Sequence, residues 1–479
     1  MNIDLISPDL FGNDAGEDEI PEVLNSYFLE KREHAAFFNE NHRLSFVRSR
    51  KGVGKSTLLR EAMFRRERMS QGEILLYVKA SDLVAFQNVD SSTPGALIHG
   101  WQQRICSRIN FELGSTLKVA LSDDKMSLIE QAELSGFRGR NLVGSLLDRM
   151  RIKVKDVEIH RERITSKNPE SLLQRVMENN VRVWIFIDDV DATFLNSEDE
   201  RLRASTFFSA CRNLCNSVSG LNIRASVRTD VWTILSQYDE ALDKCEQYML
   251  DLKWSTKDSA EILENKIKSY FDRTYSPAKT AELVKQLPRI SNLVFKEPWP
   301  WGKARYEAVR PIHILSAGRP RWASQLCRLA GKEAYNTRKE LIYFGDVSKV
   351  LTKYGQARLG DLYKEHRHQC VKMENIIESF SGGERRYTTS ELIQHIETHI
   401  LDKYGELVID GLTNIDGSLG VAHFIYRIGF ITARDQSVNG PLEFVSFEDR
   451  PNLLSSFENL DDGLDWEIHP AYRAILRIK

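Results

Sequence analysis

The sequence has no uninterrupted apolar run long enough to cross a bilayer, so a helical membrane protein is not expected. Its opening, MNIDLISPDLFGNDAGEDEI, is acidic and lacks the basic-then-apolar order of a secretory signal, and the expectation is a cytoplasmic protein without membrane contact. Six cysteines scattered over 479 residues cannot form a dense disulfide framework, so reduced thiols are expected. Cys211 with Cys215, and the run His366-Arg367-His368-Gln369-Cys370, each lack a second matching pair of ligands, which favours structural roles over metal sites. Neither charge sign dominates: 66 Lys and Arg stand against 68 Asp and Glu, for a net charge of −2. Any contact with nucleic acid or anionic lipid would therefore need a local patch. Internal repeats, low-complexity linkers, nuclease clusters, a deaminase signature and a nucleophile elbow are all missing, so the chain carries no legible effector chemistry of its own.

What is present describes a soluble globular protein of two or three domains, with 42% hydrophobic and 28% charged residues. Leu44-Ser45-Phe46-Val47 reads as a buried strand, and a helix begins at Ser56. Between them runs VRSRKGVGKST, a match to G-x-x-x-x-G-K-[ST] in which Ser49 replaces the first glycine. Such a loop wraps backbone N–H groups around phosphate at a helix N-terminus, where the dipole favours negative charge. The first glycine opens the turn without a side-chain contact, so a small serine should be tolerated. Ser49, Gly52, Val53, Gly54, Lys55, Ser56 and Thr57 are the expected ATP-binding residues. Lys55 would reach the β- and γ-phosphates, and the Ser56 hydroxyl would serve Mg2+.

Further strands are expected at Ile74–Val78, Val181–Ile187 and Asn222–Val227. The third of the four ends in Asp188-Asp189, where phosphoryl transfer needs an acid to hold magnesium. Asp188 is expected as the metal ligand, Asp189 as the group that polarises the attacking water, and Asp191 as an orienting residue. Arg228 ends the next strand and is the third expected catalytic group beside Lys55 and Asp189. Arg321, in Ala317-Gly318-Arg319-Pro320-Arg321-Trp322, would touch phosphate from a lid. Strands alternating with helices argue for an α/β fold with a parallel sheet. The expected domains are 1–250, a core with a helical lead-in and a helical insertion near 95–175; 251–375, a helical lid; and 376–479, a winged helix. The last rests on the capping signal Thr388-Thr389-Ser390-Glu391 and on two β-like runs in FIYRIGFITARDQSVNGPLEFVSF, separated by Asn439-Gly440.

KGVGKST, IFIDDVD, ASVRTD and SAGRPRW together resemble a P-loop ATPase of the broad group that contains the KAP, STAND and origin-recognition (AAA-like) ATPases. LFGNDAGEDE…SYFLEKR, LKWSTKDSAEIL, IYRIGFI and WEIHPAYRAIL resemble more closely a prokaryotic P-loop ATPase family often found among genes of mobile elements and anti-phage defence. The resemblance spans most of the chain outside roughly 95–175, and Ser49 departs from the family glycine, which bears on hydrolysis rate more than on binding. It implies an AAA-like P-loop core, a helical lid and a C-terminal winged helix, with ATP and Mg2+ as cofactors.

The leading expectation is a regulatory ATPase that controls assembly or a separately encoded effector protein in a defence or mobile-element system, acting as a homo-oligomer. Two alternatives stand beside it: a DNA-binding loader or remodeller of origin-recognition type, and a non-hydrolysing ATP-bound scaffold. Arg201, Arg203 and Arg212 could complete a neighbour's site, although solvated helix charges are the favoured reading. Arg138, Arg140, Arg149, Arg151, Lys153, Lys155, Arg161 and Arg163 make the insertion locally basic, but acids among them favour a mixed solvated face over nucleic-acid binding.

Overall fold

The computed structural model describes the chain apart from residues 1–2, 70–72, 85–92, 117–181, 192–193, 195–196, 286, 303, 413–416, 436–443 and 457–463. The basic stretch 138–163 and the Asn439-Gly440 turn lie outside the described residues. The chain divides into two compact units, one of Glu30–Arg50 with Lys55–Leu252, the other of Met1–Leu29, Lys51–Gly54 and Lys253–Lys479.

In the first unit, β1 (Leu44–Ser49), β2 (Ile74–Lys79), β3 (Val183–Asp188), β4 (Leu221–Arg228) and β5 (Met249–Asp251) form one sheet in the order β2-β3-β4-β1-β5. Every pairing is parallel. Strands covered on both faces need near-continuous apolar sequence, and every residue of VWIFID in β3 is buried. The helix Glu198–Ser217 starts on a Ser197 cap, whose Oγ accepts the Glu200 N–H at 3.3 Å. It sends Phe208 edge-on to Phe46 of β1 (5.1 Å between centroids) and Phe207 edge-on to Trp101 of the helix Pro94–Thr116 (5.3 Å).

β4 breaks the apolar pattern with Arg224, which is fully buried. Its guanidinium donates to the carbonyls of Phe37 (2.7 Å), Arg43 (3.2 Å), Ile223 (3.0 Å), Asn39 (3.0 Å) and His42 (2.6 Å). Those oxygens replace the water the cation loses, and they pin the turn that leads into β1. Arg224 and Arg66 both stack on Trp184, their guanidinium carbons 4.8 and 4.3 Å from its ring centroid.

The second unit begins with a segment assigned on sequence grounds to the ATPase core. Leu5, Leu10 and Phe11 instead join the buried cluster of the helical lid, beside Leu263, Ile267, Phe271, Trp322 and Leu326. The lid helix Pro320–Asn336 holds this segment with residues on one face. Arg321 Nε donates to Asp14 O (2.8 Å), Ser324 Oγ to Phe11 O (2.8 Å), Gln325 Nε2 to Asp14 Oδ2 (3.1 Å) and Arg328 Nη1 to Gly12 O (2.8 Å). Gly331 permits the approach, since a Cβ there would lie 2.5 Å from Leu5 O. The helix Thr256–Tyr275 starts on the expected capping box of Ser255 and Asp258. Within the lid lies an unforeseen two-stranded hairpin, β6 (Trp299–Trp301) and β7 (Ala304–Tyr306).

The C-terminal part runs helix Met373–Glu378, β8 (Arg386–Thr388), helix Thr389–Ile396, helix Gly417–Arg427, β9 (Ile431–Asp435), β10 (Phe444–Val445) and β11 (Leu464–Ile468). The strands pair antiparallel in the order β10-β9-β11-β8. This is a winged helix. One expectation is corrected: Phe424-Ile425-Tyr426-Arg427 closes a helix rather than opening a strand. Periodicity cannot separate a short all-apolar strand from a helix covered on every side, and Ser418 through Arg427 are all buried. Tyr426 Oη donates to Ser446 O (2.8 Å) and Arg450 O (3.0 Å), and Arg427 Nη1 donates to Gly411 O (2.8 Å), so loops close over this helix. The fold is α/β, an AAA-like P-loop sheet with a helical lid and a winged helix.

Candidate nucleotide site

β1 is a buried strand whose final residue, Ser49, pairs in register with Arg228 at the end of β4. Ser49 is a strand residue outside the left-handed region, so its backbone does not require glycine. Its Oγ donates to Arg50 O at 3.1 Å. The two retained glycines do carry conformations that L side chains avoid, Gly52 at φ +81° and Gly54 at φ +119°. The helix Lys55–Met69 then begins, with Lys55, Ser56 and Thr57 half-buried in its first turn. Lys55 Nζ donates to Ser49 O at 3.0 Å. Burial pushes its ammonium below the ordinary lysine range, and the carboxylates of Asp191 and Asp188 oppose that shift.

Asp188 closes β3 at 3% exposure. Its Oδ2 accepts from Tyr77 Oη of β2 at 2.6 Å, and its Oδ1 accepts from Ser226 Oγ of β4 and from the Asp189 N–H at 3.0 Å. Asp189 is exposed and has φ +55°. An aspartate there is strained by roughly 1–3 kcal/mol, and such strain clusters at functional positions. The Asp189 N–H also reaches Ser226 Oγ at 3.3 Å, which helps to fix that conformation. Asp191 is buried and pairs with Arg228 Nε at 2.8 Å, while Arg228 Nη2 reaches Asp230 at 3.2 Å. Burial raises the Asp191 carboxyl, against the pull first of Arg228 and then of Lys55. Asp188, Asp191, Arg228 and Asp230 thus all lie within electrostatic reach of Lys55.

The loop apex, Lys51–Gly54, groups with the second unit. Trp254 Nε1 donates to Val53 O at 2.8 Å, and the Arg321 N–H donates to Gly52 O at 3.3 Å. A Cβ built on Gly52 would meet Arg321 Cβ at 3.4 Å. The Arg321 side chain, expected to touch phosphate, gives its Nε to Asp14 O.

Sequence reasoning missed Tyr77, Ser226, Trp254 and Asp14. Tyr77 is the one hydroxyl in the run ILLYVK, and Trp254 lies inside LKWSTKDSAEIL, yet no motif assigned either a task. Of the arginines considered for a neighbour's site, Arg201 stacks on Tyr238 at 4.2 Å and Arg203 approaches Trp101 at 5.8 Å. The six cysteines are buried, and no cluster of three or more metal-capable side chains occurs among the described residues.

No protein-family model and no curated protein matches the sequence. Among solved structures, the chain is similar to the ORC2 protein of Aeropyrum pernix in ADPNP and ADP complexes, with 14% identity, 95% of each chain covered and a TM-score of 0.44. It is similar to the Aeropyrum pernix ORC1 protein in complex with DNA at 13% identity, covering 98% of this chain and 96% of that one, with a TM-score of 0.35. For Cdc6p from Pyrobaculum aerophilum the identity is 11%, the coverage 96% and 97%, and the TM-score 0.35. Likeness at this level says nothing of what this chain binds or does.

Proposed function

We propose that the chain is a Mg-ATP-dependent switch ATPase. The observation that carries the reading is the convergence of a glycine-turned loop, a lysine and a doubly anchored carboxylate at the adjacent C-terminal ends of β1, β3 and β4. Backbone N–H groups of Gly52 to Lys55 would take up the phosphates at the start of a 15-residue helix. Lys55, already held at the end of β1, needs only to exchange Ser49 O for a phosphate oxygen. The donor set of Ser56 hydroxyl and Asp188 carboxylate is hard oxygen, which suits magnesium with its remaining waters. Magnesium bound there would neutralise charge on the phosphates. Asp189, exposed just beyond the end of β3, would accept a proton from the attacking water. Arg228 would steady Asp191 and the charge that builds during transfer. Arg321, whose backbone holds Gly52, would report the phosphate state to the lid.

The order of core, lid and winged helix favours one further reading, a DNA loader of origin-recognition type. Its simplest form conflicts with the winged helix, because a helix that reads the major groove must present side chains, whereas Ser418–Arg427 presents none. A loader would have to grip DNA elsewhere. Self-association, a separately encoded effector and a defence setting belong to the same proposal and await their own assays.

The test is phosphate release from Mg-ATP by wild type, Lys55→Ala and Asp189→Asn, with and without duplex DNA over a salt series. Turnover lost in both variants supports the ATPase. DNA stimulation that fades steeply with salt supports the loader, and a wild type that neither binds nor turns over ATP defeats both.

A further inference from the structure

We infer that Tyr77 is a positioning residue for the Asp188 carboxylate and that Arg60 holds Tyr77 to this task. The inference rests on the reading of the loop as a Mg-ATP site and concerns which side chains set that site's affinity for the metal.

Asp188 is gripped from both neighbouring strands. β2 lies on one side of β3, with Tyr77 opposite Phe186 and Lys79 opposite Asp188 in register. From there the Tyr77 phenol donates to Oδ2 at 2.6 Å. β4 lies on the other side, and Ser226 donates to Oδ1 together with the Asp189 N–H. With three of its about four lone-pair sites taken, the carboxylate offers the remaining one, on Oδ2, in one direction. Its torsion is then set before any cation arrives.

Tyr77 is itself held. The guanidinium carbon of Arg60 lies 3.6 Å from the centroid of the phenol ring, closer than the other cation–ring contacts of the described residues. Arg60 sits four residues after Ser56 on the helix Lys55–Met69, so the two share a face. The line Ser56, Arg60, Tyr77, Asp188 therefore joins the two proposed magnesium ligands through one stacked cation and one hydrogen bond. A cation over the ring also draws electron density from the phenol and strengthens its hydroxyl as a donor. Phenylalanine at 77 would fill the same volume and keep the stacking, so the hydroxyl alone is at stake.

The experiment uses the full chain and a fluorescent ATP analogue, with wild type, Tyr77→Phe, Arg60→Met and Arg60→Lys titrated with Mg2+ after a baseline in EDTA. Metal-free nucleotide binding should be unchanged in the three variants, while the melting temperature of Tyr77→Phe should fall by a few degrees because the buried Asp188 Oδ2 loses its donor. The Mg2+ concentration for half-maximal tightening should rise about 10-fold in Tyr77→Phe, less in Arg60→Met, and little in Arg60→Lys, because orienting partners of metal ligands act on metal affinity on this scale. The bound-Mn2+ resonance spectrum should change in the same order. A Tyr77→Phe protein that follows the wild-type Mg2+ curve overturns the inference and leaves the ATPase reading intact. If Tyr77→Phe does not fold, the two Arg60 variants decide through the same curve, and no difference between lysine and methionine counts against the inference. A wild type whose nucleotide binding ignores Mg2+ removes the ground for both.

Discussion

Arg224→Met should destabilise the core unit by about 3 kcal/mol, and the estimate follows from which acceptors lose their donor. Of the five carbonyls that Arg224 serves, Arg43 O also accepts the Ile223 N–H at 2.7 Å and Asn39 O the His42 N–H at 3.3 Å. Phe37 O and His42 O take no other donor among the described residues. Two orphaned carbonyls cost about 1–3 kcal/mol each, and loss of the stacked cation on Trp184 adds about 1 kcal/mol. Removal of a buried charge returns part of that sum. Arg224→Lys keeps the charge but has three donors in place of a planar fork, and should fall between methionine and wild type. Denaturant unfolding followed by tryptophan fluorescence reads the effect, because Trp184 lies in contact with the substituted residue. An Arg224→Met protein within 1 kcal/mol of wild type would refute the reasoning, since it would show that the 37–43 turn does not depend on this pin.

Further outcomes are expected at and around the site. Asp189→Gly relieves the +55° backbone and should leave stability equal or slightly raised, while phosphate release falls about 100-fold or more, as expected for loss of a general base. A joint loss of stability and activity would contradict it. Trp254→Phe removes the bond to Val53 O and should weaken ATP binding about 5-fold, the equivalent of one hydrogen bond, with equal effect on ADP. Burial holds His423 down at about 4 from an ordinary 6.5, against the opposing carbonyl of Leu453. The unfolded chain therefore takes up a proton below pH 6.5 that the folded one refuses. His423 should by itself lower stability as pH drops from 6.5 towards 4 by at most about 1.4 kcal/mol per pH unit, with His313 and His395, also held at about 4 by burial, adding to the slope. His423→Asn should remove its share of that slope, by up to about 1.4 kcal/mol per pH unit, in urea midpoints taken at pH 7 and pH 5.

Much of the core was legible because its signals are local. LSFV, VWIFID and NIRASV are short, rich in β-branched or aromatic residues and bounded by turn or motif residues, which favours buried strands; β1 runs on to Ser49 and β4 to Arg228. The capping pairs Ser255 with Asp258 and Thr388 with Glu391 fall where their spacing places them. β5 was missed because three residues, Met249-Leu250-Asp251, hold no period. The attachment of residues 10–14 to the lid was missed for another reason. It depends on the side chains of Arg321, Ser324 and Arg328 meeting backbone oxygens some 300 positions away, with Gln325 on the Asp14 carboxylate, and backbone oxygens leave no mark in a sequence. The same holds for Tyr77, whose hydroxyl gains meaning only once β2 lies beside β3. Ser49, the apparent defect in the loop, is explained by its place inside β1, where an extended backbone suits serine.

The most direct test of the account is calorimetric titration of the full chain with ATP, with and without Mg2+, for wild type and for Lys55→Ala matched in melting temperature. The expected result is saturable binding that Mg2+ tightens in the wild type, and loss of that binding in Lys55→Ala. Equal binding by the two proteins, or no binding by the wild type, would contradict the claim that this serine-bearing loop holds a nucleotide.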